Sequence, residues 1–310
     1  MSRLRAYLAV ARPAHWIKNG FVLVGLLFGH GWRDPLLLAD AIACFVGFCL
    51  VSSAVYAFND VMDRHADRAH PRKRERPLAS GAIGVAAALV YAAALALVGL
   101  ALCALASMTA VALVLAYIGL NLGYSLGLKH VVVLDVFIIA AGFMLRILVG
   151  TLGVGIEPSR WLLLCGFTLT LFLGFAKRRS ELSALQSPAT ITPENAASGN
   201  APDRGLPVKM PTRRVLATYS LRWLDGIIGV CAVCTVAAYA LYTLDERTLA
   251  LHGTNRLVTT LPVVIYGIGR YLWTLHRLGS GDDPATQFWR DPHLLGSFIC
   301  WLGLTWWLIS

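Results

Sequence analysis

A cluster of polar side chains at the end of an apolar segment has the residue types and spacing of a metal site. Asn59, Asp60, Asp63 and Asp67 read N-D-x-x-D-x-x-x-D. In a helix, steps of three and four residues place such side chains on one face. Carboxylates crowded there repel one another unless a cation lies between them. Mg²⁺ fits this pattern, because it takes one or two protein carboxylates and fills its remaining positions with water and substrate phosphates.

Basic side chains follow the acidic cluster directly and could hold the phosphate groups that such a metal bridges. They are Arg68, His70, Arg72, Lys73, Arg74 and Arg76. Arg and Lys donate charge-assisted hydrogen bonds to phosphate oxygens. The alternative interpretation is a solvated loop in which Asp and Arg side chains only pair with one another. The helical register of the aspartates at a membrane boundary favours a metal and phosphate site, in which Asp60, Asp63 and Asp67 are the candidate catalytic residues.

The elements that position this cluster are membrane spans. Of the 310 residues, 57% are hydrophobic and 14% charged, and the mean hydropathy is +0.65, whereas soluble chains are about 25% charged. Apolar runs of about 20 residues, the length that crosses a hydrocarbon core, recur along the chain. The composition predicts an all-α polytopic membrane protein, and no removable signal peptide is recognisable before the first span. Nucleic-acid binding is not implied by the net charge of +10, because the basic residues lie at span ends.

Nine transmembrane helices are predicted. They cover about Trp16–Trp32, Pro35–Phe58, Ala82–Leu105, Thr109–Ser125, Val131–Gly153, Trp161–Ala176, Thr218–Leu244, Leu257–Leu275 and Leu294–Ile309. Twenty of the 27 Lys and Arg residues then lie on the side shared by the N-terminus and the Asp-rich segment. The positive-inside rule makes that side cytoplasmic and the C-terminus external. We therefore expect a multi-pass protein of a bacterial-type inner (plasma) membrane, with the candidate site facing the cytoplasm.

The chain is predicted to form a single membrane domain over residues 1–310. Within it, residues 183–211 are rich in Pro, Ala, Ser and Asn and are interpreted as a flexible cytoplasmic loop. A lid over a site is the alternative for this segment. The seven cysteines lie in apolar segments without His or acidic neighbours at metal-ligand spacing, which predicts inert thiols.

Four further candidate substrate-binding residues lie near and within the fifth span. Tyr124 lies at the end of the fourth span and Lys129 just before the fifth, positions where a Tyr and a snorkelling Lys are also ordinary. Asp135 lies inside the span, and a buried acid there typically faces the bundle interior or a water-filled cavity. Arg146 lies about 16 Å deeper, at 1.5 Å per residue, and costs at least about 2.5 kcal/mol if unpaired. It either pairs with a buried acid or carbonyl or lines a polar cavity.

The sixth span ends in a second basic cluster. Lys177, Arg178 and Arg179 are followed by Glu181 in the stretch GFAKRRSEL. These residues could bind phosphate, but positive charges that only stop translocation explain such a cluster equally well.

The whole pattern resembles the UbiA superfamily of intramembrane prenyltransferases. The resemblance is carried by NDxxDxxxD at the end of the second span, RPLASG after it and the nine spans. It implies a UbiA-type bundle in which Asn59, Asp60, Asp63 and Asp67 hold Mg²⁺ on a substrate diphosphate. Family members typically carry a second motif, DxxxD, after the sixth span. Here that place holds Lys177, Arg178, Arg179 and Glu181.

Within this superfamily the chain is most similar to the decaprenyl-phosphate phosphoribosyltransferase branch. The matching stretches are RPAHWIKNGFVL, DRAHPRKRERPLASG, YSLGLKHVVVLD and GFAKRRSEL. The resemblance implies transfer of 5-phosphoribose from phosphoribosyl pyrophosphate to a polyprenyl phosphate lipid, with release of pyrophosphate. The implied substrate-binding residues are Lys18, Lys73, Arg74, Arg76, Tyr124, Lys129, Asp135 and Arg146, with Lys177 and Arg178 on the 5-phosphate or the lipid phosphate.

Two other functions compete with this interpretation. A prenyltransferase joining a polyprenyl diphosphate to an aromatic acceptor predicts a second acidic motif, which the sequence lacks. A transporter or membrane scaffold, with Asp135 and Arg146 as a relay, predicts interrupted spans or internal repeats, and none is convincing here. The sequence leaves a homo-oligomer open.

Overall fold

The computed structural model describes residues 3–69, 73–186, 216, 218–278 and 290–310. These residues form helices, turns and loops without a β-strand. The α-helices are α1 (Arg3–Ala11), α2 (Val24–Phe28), α3 (Pro35–Arg68), α4 (Val85–Ala106), α5 (Met108–Leu126), α6 (Leu134–Val149), α7 (Arg160–Gln186), α8 (Leu221–Leu244), α9 (Glu246–His252), α10 (Leu261–Leu278) and α11 (Pro292–Ile309).

Seven helical segments of the described chain are long and apolar enough to cross a membrane. They are Pro35–Arg68, Val85–Ala106, Met108–Leu126, Leu134–Val154, Arg160–Ala184, Leu221–Leu244 and Pro292–Ile309. Each coincides with a predicted span, so the prediction of an all-helical, multi-span membrane protein is confirmed.

The count of nine is not confirmed. The first predicted span is broken into a 3₁₀ helix over Pro13–Leu23, the short α2 and a 3₁₀ turn over Gly31–Arg33. The eighth is a 3₁₀ segment, Arg256–Thr260, followed by α10. Helix α10 carries Arg270, His276 and Arg277, and these polar residues lower its hydropathy below that of the other spans.

The chain packs as two compact units. The first comprises residues 1–129 and 137–163, and the second comprises residues 130–136 and 164–310. The single membrane domain stays a prediction. Most of the predicted loop, residues 187–211, lies outside the described part, and residues 183–186 form the end of α7.

Helix α3 is the centre of the first unit. It begins at Pro35 because Asp34 accepts hydrogen bonds from the backbone N–H groups of Leu36 and Leu37, which caps the helix. It packs against α1, α4, α5 and the 3₁₀ helix Pro13–Leu23. Its contact with α4 is close: a Cβ on Gly47 would lie 2.6 Å from the carbonyl oxygen of Gly99. Small residues at such crossings allow membrane helices to approach closely.

The second unit is built from α7 to α11. Helix α8 is capped by Ser220, and α11 by Asp291, which also accepts a hydrogen bond from Arg270 at 2.9 Å. The Tyr239 hydroxyl lies 2.6 Å from Thr260 Oγ1 and accepts a hydrogen bond from Trp301. Helix packing in this unit therefore includes satisfied polar contacts between membrane-crossing elements.

Candidate active site

Two of the predicted metal ligands lie together on α3. Asp60 and Asp67 are separated by two helical turns, and each is 4% exposed. Nη1 of Arg76 donates to Asp60 Oδ1 at 3.2 Å and to Asp67 Oδ2 at 2.8 Å. One guanidinium nitrogen therefore lies between two buried carboxylates. The register predicted from the sequence does place these acids on one face.

Arg12 is a member of this cluster that sequence reasoning did not assign. Its Nη2 lies 2.5 Å from Asp60 Oδ1, and its guanidinium carbon lies 5.2 Å from the centroid of the Tyr56 ring. The backbone of Arg12 is left-handed, with φ 51°, at the turn between α1 and the 3₁₀ helix that starts at Pro13. The signal in the sequence is an Arg directly before Pro in RPAHWIKN, where the charge alone indicates only membrane topology.

Asp63 and Asn59 have different partners from Asp60 and Asp67. Asp63 has a side chain that is 44% exposed, and Lys129 Nζ donates to its Oδ1 at 2.9 Å. Asn59 accepts a hydrogen bond from the Ser125 hydroxyl. The four predicted metal-site residues are thus joined to basic and polar side chains from three other parts of the first unit.

The remaining predicted phosphate-binding residues of the first unit are less buried. Lys18, Lys73 and Tyr124 are partly exposed, and Arg74 is exposed. His70 and Arg72 lie outside the described residues. Their assignment to substrate phosphates stays a prediction.

Asp60 and Asp67 are the residues best placed to hold a divalent metal ion. Among the described residues, no group of three or more His, Cys, Asp or Glu side chains is arranged to bind one unaided. Mg²⁺, however, typically takes one or two protein carboxylates and shares its other positions with water and phosphate. Two carboxylates already surround a cationic nitrogen here. The donor set therefore fits a Mg²⁺ ion that is completed by substrate.

Arg146 is held inside the first unit by neutral groups. It is 5% exposed, and it donates to Asn19 Oδ1 at 2.9 Å, the Gly142 carbonyl at 2.7 Å and the Tyr117 hydroxyl at 3.1 Å. Three aromatic rings surround its guanidinium. The distances from the guanidinium carbon to the ring centroids of Phe48, Tyr117 and Phe143 are 5.0, 4.9 and 5.0 Å. The sequence left two alternatives for Arg146, pairing with a buried acid or carbonyl and lining a polar cavity. The structure shows the first, with the Gly142 carbonyl as a partner. Its predicted role in substrate binding is not tested by these contacts.

The second unit contains a buried ionic cluster around Arg178. Nε donates to Asp135 Oδ2 at 2.8 Å, and Nη1 donates to Glu181 Oε2 at 2.6 Å. The Tyr219 hydroxyl donates to Asp135 Oδ1 at 3.2 Å and accepts the Val133 backbone N–H at 2.7 Å. Burial raises the pKa of Tyr219 to about 12, so the hydroxyl keeps its proton at neutral pH.

This cluster differs from the sequence-based picture. Arg178 and Asp135 were predicted as separate substrate-binding residues, whereas they form an ion pair whose members are 1% and 0% exposed. Tyr219 was not predicted, and no local pattern signals it. Val133 has φ 69°, a left-handed conformation that is costly for a β-branched residue. Lys177, the other predicted basic residue here, is partly exposed.

The fold and the site define a multi-span membrane enzyme. Its candidate site combines acidic side chains with Arg and Lys side chains of the kind that bind phosphate. Residues 20–290 match the model of the UbiA prenyltransferase family. The chain is 30% identical over 296 residues to a decaprenyl-phosphate phosphoribosyltransferase of Mycolicibacterium smegmatis, covering 94% of this chain and 88% of that protein. It is 38% identical over 177 residues to the protein of that name from Corynebacterium glutamicum, a match covering 55% of this chain and about half, 53%, of that protein.

The chain belongs to the UbiA prenyltransferase family, as its sequence motifs predicted. A solved structure supports the fold independently. A UbiA homolog from Archaeoglobus fulgidus bound to GPP and Mg²⁺ superimposes with a TM-score of 0.68 at 18% identity, covering 98% of this chain and 99% of that one.

Proposed function

We propose that this enzyme transfers 5-phosphoribose from phosphoribosyl pyrophosphate to a polyprenyl phosphate of the decaprenyl phosphate type, with Mg²⁺ as cofactor. The observation that carries the proposal is the contact of one Arg76 nitrogen with Asp60 and Asp67. Carboxylates that suit a metal and a guanidinium that suits phosphate lie together in one cluster, which is the donor set that a metal-bound diphosphate needs. Two relatives named decaprenyl-phosphate phosphoribosyltransferase support the choice of substrates.

Asp60 and Asp67 would hold the metal ion, with Asn59 and Asp63 completing the acidic face. When bound, Mg²⁺ neutralises charge on the pyrophosphate oxygens and makes pyrophosphate a better leaving group. Arg76 and Arg12, whose present partners are the same carboxylates, would then be available to phosphate oxygens.

The side chains of this protein act by stabilising charge on the leaving group and by orienting the two substrates. The attacking oxygen belongs to a lipid phosphate that is already ionised, so no general base is required. Its bond to C1 of the ribose forms as the bond from C1 to pyrophosphate breaks. Fixed donors along the leaving group lower the barrier by orienting the reactants and stabilising the developing charge. We assign this role to Lys18, Lys73, Arg74, Arg76, Tyr124 and Lys129.

Lys177 is assigned to a substrate phosphate, the role that the resemblance to the phosphoribosyltransferase branch implies. Arg178 is assigned a positioning role instead, because its guanidinium already has two carboxylate partners. Asp135 and Arg146, which bind protein groups in the structure, are likewise assigned to positioning.

The proposed membrane arrangement has nine crossings. Seven are the long helices, and the other two are the broken segment of residues 13–33 and helix α10. The N-terminus and the Asp-rich end of α3 would be cytoplasmic and the C-terminus external, in a bacterial-type plasma membrane. The excess of Lys and Arg on one side of this arrangement supports it. A homo-oligomer is compatible with this proposal.

The deciding experiment uses purified protein, Mg²⁺, phosphoribosyl pyrophosphate labelled in the ribose and a polyprenyl phosphate, followed by lipid extraction. We expect label in the lipid phase, abolished by EDTA and restored by Mg²⁺. Absence of transfer to polyprenyl phosphates of several lengths would refute the proposal. In that case, transfer of a prenyl group from a prenyl diphosphate to an aromatic acceptor would be the reaction to test.

A further inference from the structure

Arg178 occupies a position that resembles a metal site with its cation already in place. Two carboxylate oxygens, from Asp135 and Glu181, lie 2.8 and 2.6 Å from different nitrogens of its guanidinium. The second oxygen of Asp135 accepts the Tyr219 hydroxyl. Both carboxylate oxygens of Asp135 therefore have a protein partner.

We propose that Arg178 is a built-in cation that replaces a second metal ion, so that this enzyme works with one divalent ion rather than two. This inference rests on the proposed function. The second acidic motif, DxxxD, is absent from the end of α7, where Lys177, Arg178, Arg179 and Glu181 stand instead. This set contains three basic side chains and one acid, so it does not fit a metal ion. Two carboxylates remain, and the space between them is filled by a guanidinium.

The contrast with Arg76 shows why Arg178 is a permanent occupant. Arg76 bridges its two aspartates through one nitrogen, and its side chain is 32% exposed. Water and phosphate can reach it, so it can exchange partners. Arg178 is 1% exposed and uses separate nitrogens for its two acids. Removing a buried guanidinium from paired carboxylates leaves uncompensated charge, so metal entry at Arg178 is strongly opposed.

Arg179 provides a matched control on the neighbouring position. Its Nε lies 2.5 Å from Asp225 Oδ1, and its Nη1 donates to the Leu275 carbonyl at 3.1 Å. It is thus an Arg of the same helix with one carboxylate partner instead of two. Removing it leaves one carboxylate, Asp225, whose Oδ1 also lies 3.2 Å from His276 Nε2, and therefore does not leave a pair of carboxylates as removal of Arg178 does.

The test counts Mn²⁺ ions bound by the full-length protein in detergent with pyrophosphate present, by electron paramagnetic resonance of free Mn²⁺. We expect one ion per chain in the wild type and in Arg179→Ala, and one additional ion in Arg178→Ala. Two ions in the wild type would overturn the inference. The same holds if a folded Arg178→Ala protein gains no ion.

A second readout tests the identity of the gained site. Mn²⁺ should raise the unfolding temperature of Arg178→Ala more than that of the wild type, and the extra rise should vanish in Arg178→Ala combined with Glu181→Gln. A rise that survives in the double variant contradicts a site at Asp135 and Glu181. If Arg178→Ala does not fold, the wild-type count alone decides. The ion count is independent of phosphoribosyl transfer, so an enzyme that binds one ion but transfers no phosphoribose refutes the proposed function only.

Discussion

Lys129 Nζ lies 2.9 Å from Asp63 Oδ1, although 66 residues separate them in the sequence. A parallel contact joins Ser125 to Asn59. The last turns of α3 are therefore connected to the end of α5 and the segment that follows it. A residue predicted to hold metal and a residue predicted to hold phosphate are direct neighbours in the first unit.

Asp63 and Asp60 should separate activity from stability. Asp63→Asn removes one partner of a partly exposed ion pair, and such pairs near the surface typically contribute about 0–1 kcal/mol. Asp60→Asn removes a buried carboxylate with two Arg partners and should cost about 1–3 kcal/mol. We expect both variants to lose most transfer activity, with a lowered unfolding temperature only for Asp60→Asn. Thermal unfolding in detergent, together with the lipid-extraction assay, measures both effects. Substantial activity in both variants would contradict the metal role.

Arg76→Met should make the protein depend on Mg²⁺ for stability. In this variant Asp67 loses its Arg76 partner and Asp60 keeps Arg12, so two buried carboxylates share one guanidinium and a divalent ion relieves the remaining repulsion. We expect a lowered unfolding temperature without metal and a larger rise on adding Mg²⁺ than in the wild type. Arg74→Met, at an exposed position in the same segment, is the control and should behave as the wild type does. Equal Mg²⁺ responses in the two variants would show that Arg76 does not occupy the metal position.

Arg146→Met should destabilise the first unit by about 2–4 kcal/mol, because three hydrogen-bond acceptors and several ring contacts lose their partner. Arg146→Lys should recover little of this, since an ammonium lacks the planar fork that reaches all three acceptors. The measurement is denaturant unfolding in detergent. Arg222→Met, at an exposed position of α8, should stay within about 0.5 kcal/mol of the wild type. A mild effect at Arg146 would argue against its packing role and for an accessible substrate contact.

Gly99→Ala should disrupt the contact between α3 and α4. The added Cβ would lie 2.5 Å from the Gly47 carbonyl oxygen and 2.7 Å from a methyl of Val51, so the helices must separate. We expect a marked fall in unfolding temperature. Gly119→Ala in α5, where nothing lies within 4 Å of the new Cβ, should be neutral or raise stability by up to about 1 kcal/mol through helix propensity.

Hydrophobicity and helical register were sufficient to predict the seven long spans and the shared face of Asp60 and Asp67. The second predicted span ended at Phe58, whereas α3 continues to Arg68, because the polar residues keep the same helical register. The broken first span was not predicted, since an average over apolar residues does not register a 3₁₀ path through Lys18, Asn19 and Gly20.

The partners of the charged residues were the part that sequence could not supply. Arg12 meets Asp60 across 48 residues, and Arg178 meets Asp135 across 43. Such pairs depend on how helices pack, which no local spacing encodes. For the same reason, neither the aromatic rings around Arg146 nor the hydrogen bond from the Val133 backbone to Tyr219 could be predicted.

In the proposed membrane arrangement, the length of α3 carries its acidic residues beyond the hydrocarbon core. Its 34 residues extend about 51 Å at 1.5 Å per residue, against a hydrocarbon core of about 30 Å. In an upright helix, Asp60 lies about 38 Å and Asp67 about 48 Å from Pro35. Both distances exceed the thickness of the hydrocarbon core, so these two carboxylates would lie beyond it, where protein buries them. Bilayer thickness would then affect the proposed reaction, because longer acyl chains would bring the edge of the hydrocarbon closer to Asp60 than to Asp67.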